Sequence, residues 1–169
     1  PANADGVHID PTEWNRNDGF SPASNLLVDV ESLDVTASKL PPVTDLGRSL
    51  DADSGLVLVD VTTGDRVAAW AELDANAEDP DEQALIIVPA TSLTEAHRYA
   101  VGLRGLVRTD GTEVEPTDAF GDLVEDPDEE QQEWLDALGT AGATTDDLDI
   151  AWSFTVASAD SLSGRLRAM

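Results

Sequence analysis

The reactive inventory of this chain is narrow: two histidines, His8 and His97, no cysteine, and a large excess of acids. The string Gly19-Phe20-Ser21-Pro22-Ala23 imitates a G-x-S-x-G nucleophile elbow with a final alanine. An elbow needs a strand before the serine and a helix after it. It also takes part of its oxyanion hole from the backbone N–H that follows the nucleophile. Trp14-Asn15-Arg16-Asn17-Asp18 carries no strand pattern, and Pro22 has no N–H to give. Ser21 is therefore expected in a constrained turn that buries Phe20, not in an active site. His97 stands at a predicted strand start on the same face as Tyr99, which reads as a packed or rim residue. Without thiols or an H-E-x-x-H string, zinc has no ligand set.

Oxygen ligands for calcium are plentiful. Asp51-Ala52-Asp53-Ser54-Gly55 opens like an acidic calcium loop, yet Leu56 and Thr62 stand where an EF-hand needs Gly and Glu. No cofactor is expected, with structural calcium kept as the alternative. The runs Glu78–Glu82 and Glu125–Glu130 read as solvated surface. A carboxylate pair for glycoside hydrolysis would need a cleft, normally with sugar-stacking aromatics. Trp134 and Trp152 fit core positions, which leaves Trp14 and Trp70 as a candidate contact surface.

The elements that would position these residues are mostly strands. In His97–Arg104, His97, Tyr99, Val101 and Leu103 share one face. In Ile150–Ala157, Ile150, Trp152, Phe154 and Val156 alternate with small or polar residues, and in Arg66–Leu73 Val67, Ala69, Ala71 and Leu73 do. Leu56–Val61 and Leu85–Val88 are apolar runs of core-strand length; Leu26–Val30 and Thr112–Glu115 are weaker candidates. Thr63-Gly64-Asp65 and Asp110-Gly111 are hairpin signals. One inserted helix is expected over about 127–138, with Asp126 as cap, Pro127 first, Trp134, Leu135 and Leu138 as its apolar stripe and Gly139 as its stop. A second helix is expected to start after Ser158, with Leu162, Leu166 and Met169 on one face. Strands and turns at this spacing favour an antiparallel sandwich over parallel βαβ units.

With 169 residues the chain reads as one domain with a core of its own. Its 35 acids against 9 bases give a formal charge of −26. That balance excludes a phosphate-binding face, hence nucleic acid as a partner, and no apolar run is long enough for a membrane span. Such a surface keeps a protein soluble and monomeric and suits a salty medium; an arginine-over-lysine bacterial composition gives a similar profile. The first residues, Pro1 to Gly6, contain neither an initiator Met nor a signal peptide, and the chain reads as a processed or excised piece.

Three blocks together carry a family resemblance. They are Ile9-Asp10-Pro11-Thr12-Glu13-Trp14-Asn15 running into Asp18-Gly19-Phe20-Ser21-Pro22, Arg98 to Arg104 followed by Asp110-Gly111, and Leu148 to Ser158. With them the chain resembles the N-terminal, non-catalytic, Ig-like region of large bacterial secreted lipase/esterase-like proteins, which precedes an α/β-hydrolase-like region. Leu93 ahead of Tyr99 also resembles the corner of bacterial Ig-like domains, where a tyrosine hydroxyl ties the corner to the backbone.

The resemblance implies a mainly β, antiparallel Ig-like sandwich over 1–157, with 158–169 starting a linker helix toward a further domain. It implies no catalytic residue in this chain. The expected role is a non-enzymatic accessory or spacer module, secreted or in the cell envelope, that contacts a neighbouring domain or protein. A calcium- or carbohydrate-binding adhesive module is the alternative, and an enzyme with a carboxylate pair in a cleft is the third reading.

Overall fold

Six of the seven expected apolar segments are strands in the computed structural model, which describes residues 4, 6–8, 10–12, 14–77 and 79–167. Ile9, Glu13, Glu78 and Met169, singled out above, lie outside the described residues. The strands are β1 (Leu26–Asp29), β2 (Leu56–Asp60), β3 (Ala69–Leu73), β4 (Ala84–Pro89), β5 (Arg98–Leu103) and β6 (Ile150–Thr155). They form two antiparallel three-stranded sheets, β1–β4–β3 and β2–β5–β6. The seventh segment, 112–115, makes only the isolated bridge Val107–Glu113 with its hairpin partner.

Side-chain alternation explains the layering. Leu26, Ala69, Ala71, Leu85 and Ile87 of one sheet share a buried cluster with Leu56, Leu58, Tyr99, Val101, Leu103 and Phe154 of the other. The face that holds Tyr99 is therefore core, and Trp152 packs half-buried at its margin. The opposite face of the second sheet is buried as well. Val57, Val59 and Ala100 pack under Phe120, Trp134, Leu135 and Leu138. Two-sided burial is why β2 reads as an unbroken apolar run rather than an alternating one.

The helices differ from expectation in three respects. There are two between β5 and β6, not one: α1 (Asp118–Glu125) and α2 (Glu129–Thr140). The cap of α2 is Asp128, two residues later than Asp126. Its carboxylate accepts from Gln131 N–H while the Gln131 side chain accepts from Asp128 N–H, a reciprocal capping box; Asp126 instead closes α1, its N–H donating to Asp122 O. Gly139 lies inside α2. The backbone turns instead at Gly142, whose φ of +96° is costly for any other residue. The third helix, α3 (Ala159–Arg167), begins as expected behind Ser158, whose Oγ accepts from Ser161 N–H at 3.2 Å. Leu162 and Leu166 on it are exposed.

The Thr63-Gly64-Asp65 turn is a hairpin for little more than one bridge, Val59–Arg66. Beyond it β3 leaves β2 and pairs with β4, so the turn passes the chain from one sheet to the other.

Candidate functional site

A polar group around the buried Asp60 gathers where the 60–64 turn meets the start of β5. Asp60 ends β2 and is buried; one of its carboxylate oxygens accepts from Thr62 N–H at 2.9 Å and Thr63 N–H at 3.3 Å, closing the turn. The other lies 2.7 Å from His97 Nδ1. The His97 ring stacks on Tyr99, with centroids 6.5 Å apart, and Tyr99 stacks on Phe154 at 5.7 Å. The Tyr99 hydroxyl accepts from Thr94 N–H at 2.9 Å, the tie expected of a tyrosine corner. Burial pushes the phenol of Tyr99 up; the Thr94 bond opposes this and the Asp60 charge adds to it.

An Asp–His pair is half of an acyl-transfer apparatus. Its second half, a hydroxyl hydrogen-bonded to the free ring nitrogen, does not occur among the described residues. These bonds fasten the turn after β2 and the corner before β5 to the core.

A second feature meets the geometric condition for the third reading in part. A hollow of about 310 Å³ is lined by Glu113, Glu115, Asp146 and Asp149 over an apolar floor that includes Leu106 and Leu148. Burial raises the Asp149 carboxyl above its ordinary value; Leu106 N–H, donating at 2.8 Å, pulls it down, and the charges of Glu113 and Glu115 push it up. Such a carboxyl is a candidate acid by environment. No aromatic ring lines the hollow, and Asp149 holds the 105–106 backbone in place.

The residues singled out from sequence are dispersed. Ser21 Oγ accepts from Ala23 N–H at 3.3 Å within a local turn, far from an elbow. Phe20 is not buried by that turn: it is 62% exposed, its ring edge-on to Phe154 at 6.3 Å. Its backbone instead bridges to Val156, with Phe20 N–H donating to Thr155 O and Phe20 O accepting from Ala157 N–H. Backbone pairing fixes the segment and leaves the ring outside.

In the 51–55 loop, the carbonyls that a cation would need are met by guanidinium groups. Arg66 donates to Asp51 O, and Arg104 to Ala52 O and Ser54 O. Asp53 pairs with Lys39 at 3.2 Å, which lowers its carboxyl. Among the described residues no group of three or more His, Asp or Glu side chains is arranged to hold a metal ion.

Trp14 sits in a short 3-10 turn and is 65% exposed; Trp70 is half-buried on the outer face of β3. No ring contact joins them among the described residues. Asp60 was not singled out from sequence, although an aspartate that follows an apolar run and stands two residues before a threonine is an Asx-turn signal.

No family model and no curated protein matches the chain. Solved structures that match include surface layer protein SbsC, domains 1–6, at 15% identity and a TM-score of 0.38, over 57% of this chain and 12% of that one. The N-terminal part of the bacterial S-layer protein SbsC matches at 14% identity and a TM-score of 0.34, over 57% of this chain and 20% of that one. This chain thus spans a small fraction of either, and at such scores neither carries an argument about its role. The expected kinship with N-terminal regions of lipase/esterase-like proteins is overturned: these two structures are surface-layer protein domains, not lipase N-terminal regions.

Proposed function

We propose that this chain is a non-catalytic structural module of the cell envelope, a rigid body that contacts neighbouring protein. The observation that carries the reading is the use made of its buried polar side chains. Ser38 bonds the backbone of Val107; Ser49 bonds Leu46 O and Ala69 N–H; Ser54 bonds both polar groups of Leu56; Asp60 closes its turn. Each ties a loop to a strand or closes a turn. Buried polar groups kept for shape are satisfied in this way, whereas reactive ones keep a face toward a cleft.

The finer reading is an Ig-like sandwich over 1–157 followed by a linker helix at 158–169. The shared core of the two sheets and the Tyr99 corner support it. The acidic surface supports work in a salty medium outside the cytoplasm. The module is read as working without a cofactor, because the 51–55 carbonyls already have partners.

The test is an assay of the whole chain on p-nitrophenyl esters and chromogenic glycosides, with calorimetry against calcium. Silence in all three is expected. Ester hydrolysis removed by His97→Gln, glycoside cleavage removed by Asp149→Asn, or tight calcium uptake would each end the reading.

A further inference from the structure

The outward face of the β1–β4–β3 sheet does not look like a solvated surface. Antiparallel sheets with one wet face normally alternate apolar inside and polar outside. Here the register places Leu27 beside Ile86, and Val88 beside Trp70, all pointing away from the shared core. Leu27 is 65% exposed, and Ile86, Val88 and Trp70 are half-buried. None of the four packs against either buried cluster. The other sheet has its outer face sealed by Phe120 and Trp134; among the described residues neither buried cluster covers this one, which carries Ile86 and Val88 on its central strand and Trp70 beside them on the edge strand β3. Contiguous apolar patches of this kind mark interaction sites.

Charge selects the occupant. Asp29 and Glu72 are exposed on the same face, flanking Leu27 and Ile86 in the ladder, and none of the three strands carries a Lys or Arg. A second copy would bring this acidic rim against another within a molecule of net charge −26, which opposes self-association.

We infer that this face docks a protein partner whose surface has an apolar centre ringed by Lys and Arg. The inference rests on the contact-module reading and deepens it by naming the surface and the chemistry it accepts. The apolar row supplies the affinity, Trp70 as its anchor, while the rim supplies orientation and rate.

The probe is a strand peptide alternating Leu and Lys, titrated into the full chain at physiological ionic strength and followed by calorimetry. Peptides alternating Ser and Lys, and Leu and Glu, serve as controls. Trp70→Ser with Leu27→Ser is expected to weaken binding of the Leu–Lys peptide at least about tenfold with the melting temperature little changed. Asp29→Asn with Glu72→Gln should flatten its salt dependence. Equal binding by the Trp70/Leu27 variant, or equal binding of the Ser–Lys peptide, would reduce the effect to charge alone and overturn the inference. Sedimentation showing a dimer abolished by Leu27→Ser would overturn it in favour of a second copy. Either failure leaves the chain's silence toward esters and glycosides intact, so the two readings fail separately.

Discussion

Replacing Tyr99 with Phe keeps every apolar contact of the ring and deletes one oxygen, so it isolates the corner bond. Thr94 N–H, donating at 2.9 Å in a partly buried setting, would lose its acceptor. An orphaned donor of this kind costs about 1–3 kcal/mol. The urea midpoint should fall accordingly with the slope unchanged. Asp149 makes the opposite case. Its carboxyl is raised in the fold, first by burial, so the protonated form is favoured there. Stability is therefore lost as pH rises from the ordinary aspartate range through the raised value, and below the ordinary range this penalty is absent. Asp149→Asn retains an acceptor for Leu106 N–H and should raise the melting temperature at neutral pH, the gain shrinking toward zero in acid. A gain that persists undiminished at low pH would mean that packing, not charge, is responsible. Residues of these two kinds differ in how far the sequence betrays them. Tyr99 was legible because an aromatic on an alternating face, a few residues after Leu93, is a local pattern. Asp60 was not. One aspartate among 35 acids does not stand out, and its partner His97 lies 37 residues away, brought near only by the β2–β5 register.

Strands were readable because period-2 alternation, or in β2 an unbroken apolar run buried on both faces, reports burial directly, and the same physics left the helices partly hidden. The start of α2 was a contest between Asp126 and Asp128, each with a reciprocal partner three residues on, Glu129 and Gln131; α1 decides it, because Asp126 is spent as the C-cap of that helix. The eight residues of α1 carry Phe120, Leu123 and Val124 as their large apolar side chains beside Ala119, too few to stand out in an acidic stretch. Sheet membership was out of reach as well, since the 63–65 turn looks local but joins strands of different sheets. The seating of α2 on β5 can be tested with two glycines. A Cβ on Gly102 would lie 2.7 Å from Leu148 Cδ2 and 3.3 Å from Leu138 Cδ2, so β5 and α2 meet where glycine leaves room. Gly102→Ala should cost about 1–3 kcal/mol through overpacking. Gly121, exposed within α1, has nothing within 4 Å of an added Cβ. Gly121→Ala should stabilise by about 0.5–1 kcal/mol through helix propensity alone. Opposite signs in paired urea melts are the expected result; two losses would mean that α1 is packed more tightly than this geometry allows.

At the scale of the whole molecule, charge dominates. A net −26 is offset by few described ion pairs, among them Lys39–Asp53 and Arg98 with Glu130 and Glu133. The exposed ones contribute little each, so self-repulsion stands largely uncompensated. A chain of this length folds to a radius of gyration of roughly 15 Å. The screening length is about 30 Å at 0.01 M salt and about 8 Å at 0.15 M. At the lower concentration every carboxylate senses every other; at the higher, only its neighbours. Unfolding spreads the charges apart, so low salt penalises the folded state more than the unfolded one. The melting temperature should therefore climb by several degrees between those two concentrations, each kcal/mol counting for about 2–4 °C in a domain of this size. Sodium and potassium chloride should act alike, and the rise should flatten above the point at which the screening length falls below the spacing of neighbouring acids. A rise that instead continues linearly into the molar range, and is steeper with sulfate at equal ionic strength, would assign the effect to exclusion of salt from the apolar surface. In that case repulsion among the acids would not be what limits this fold.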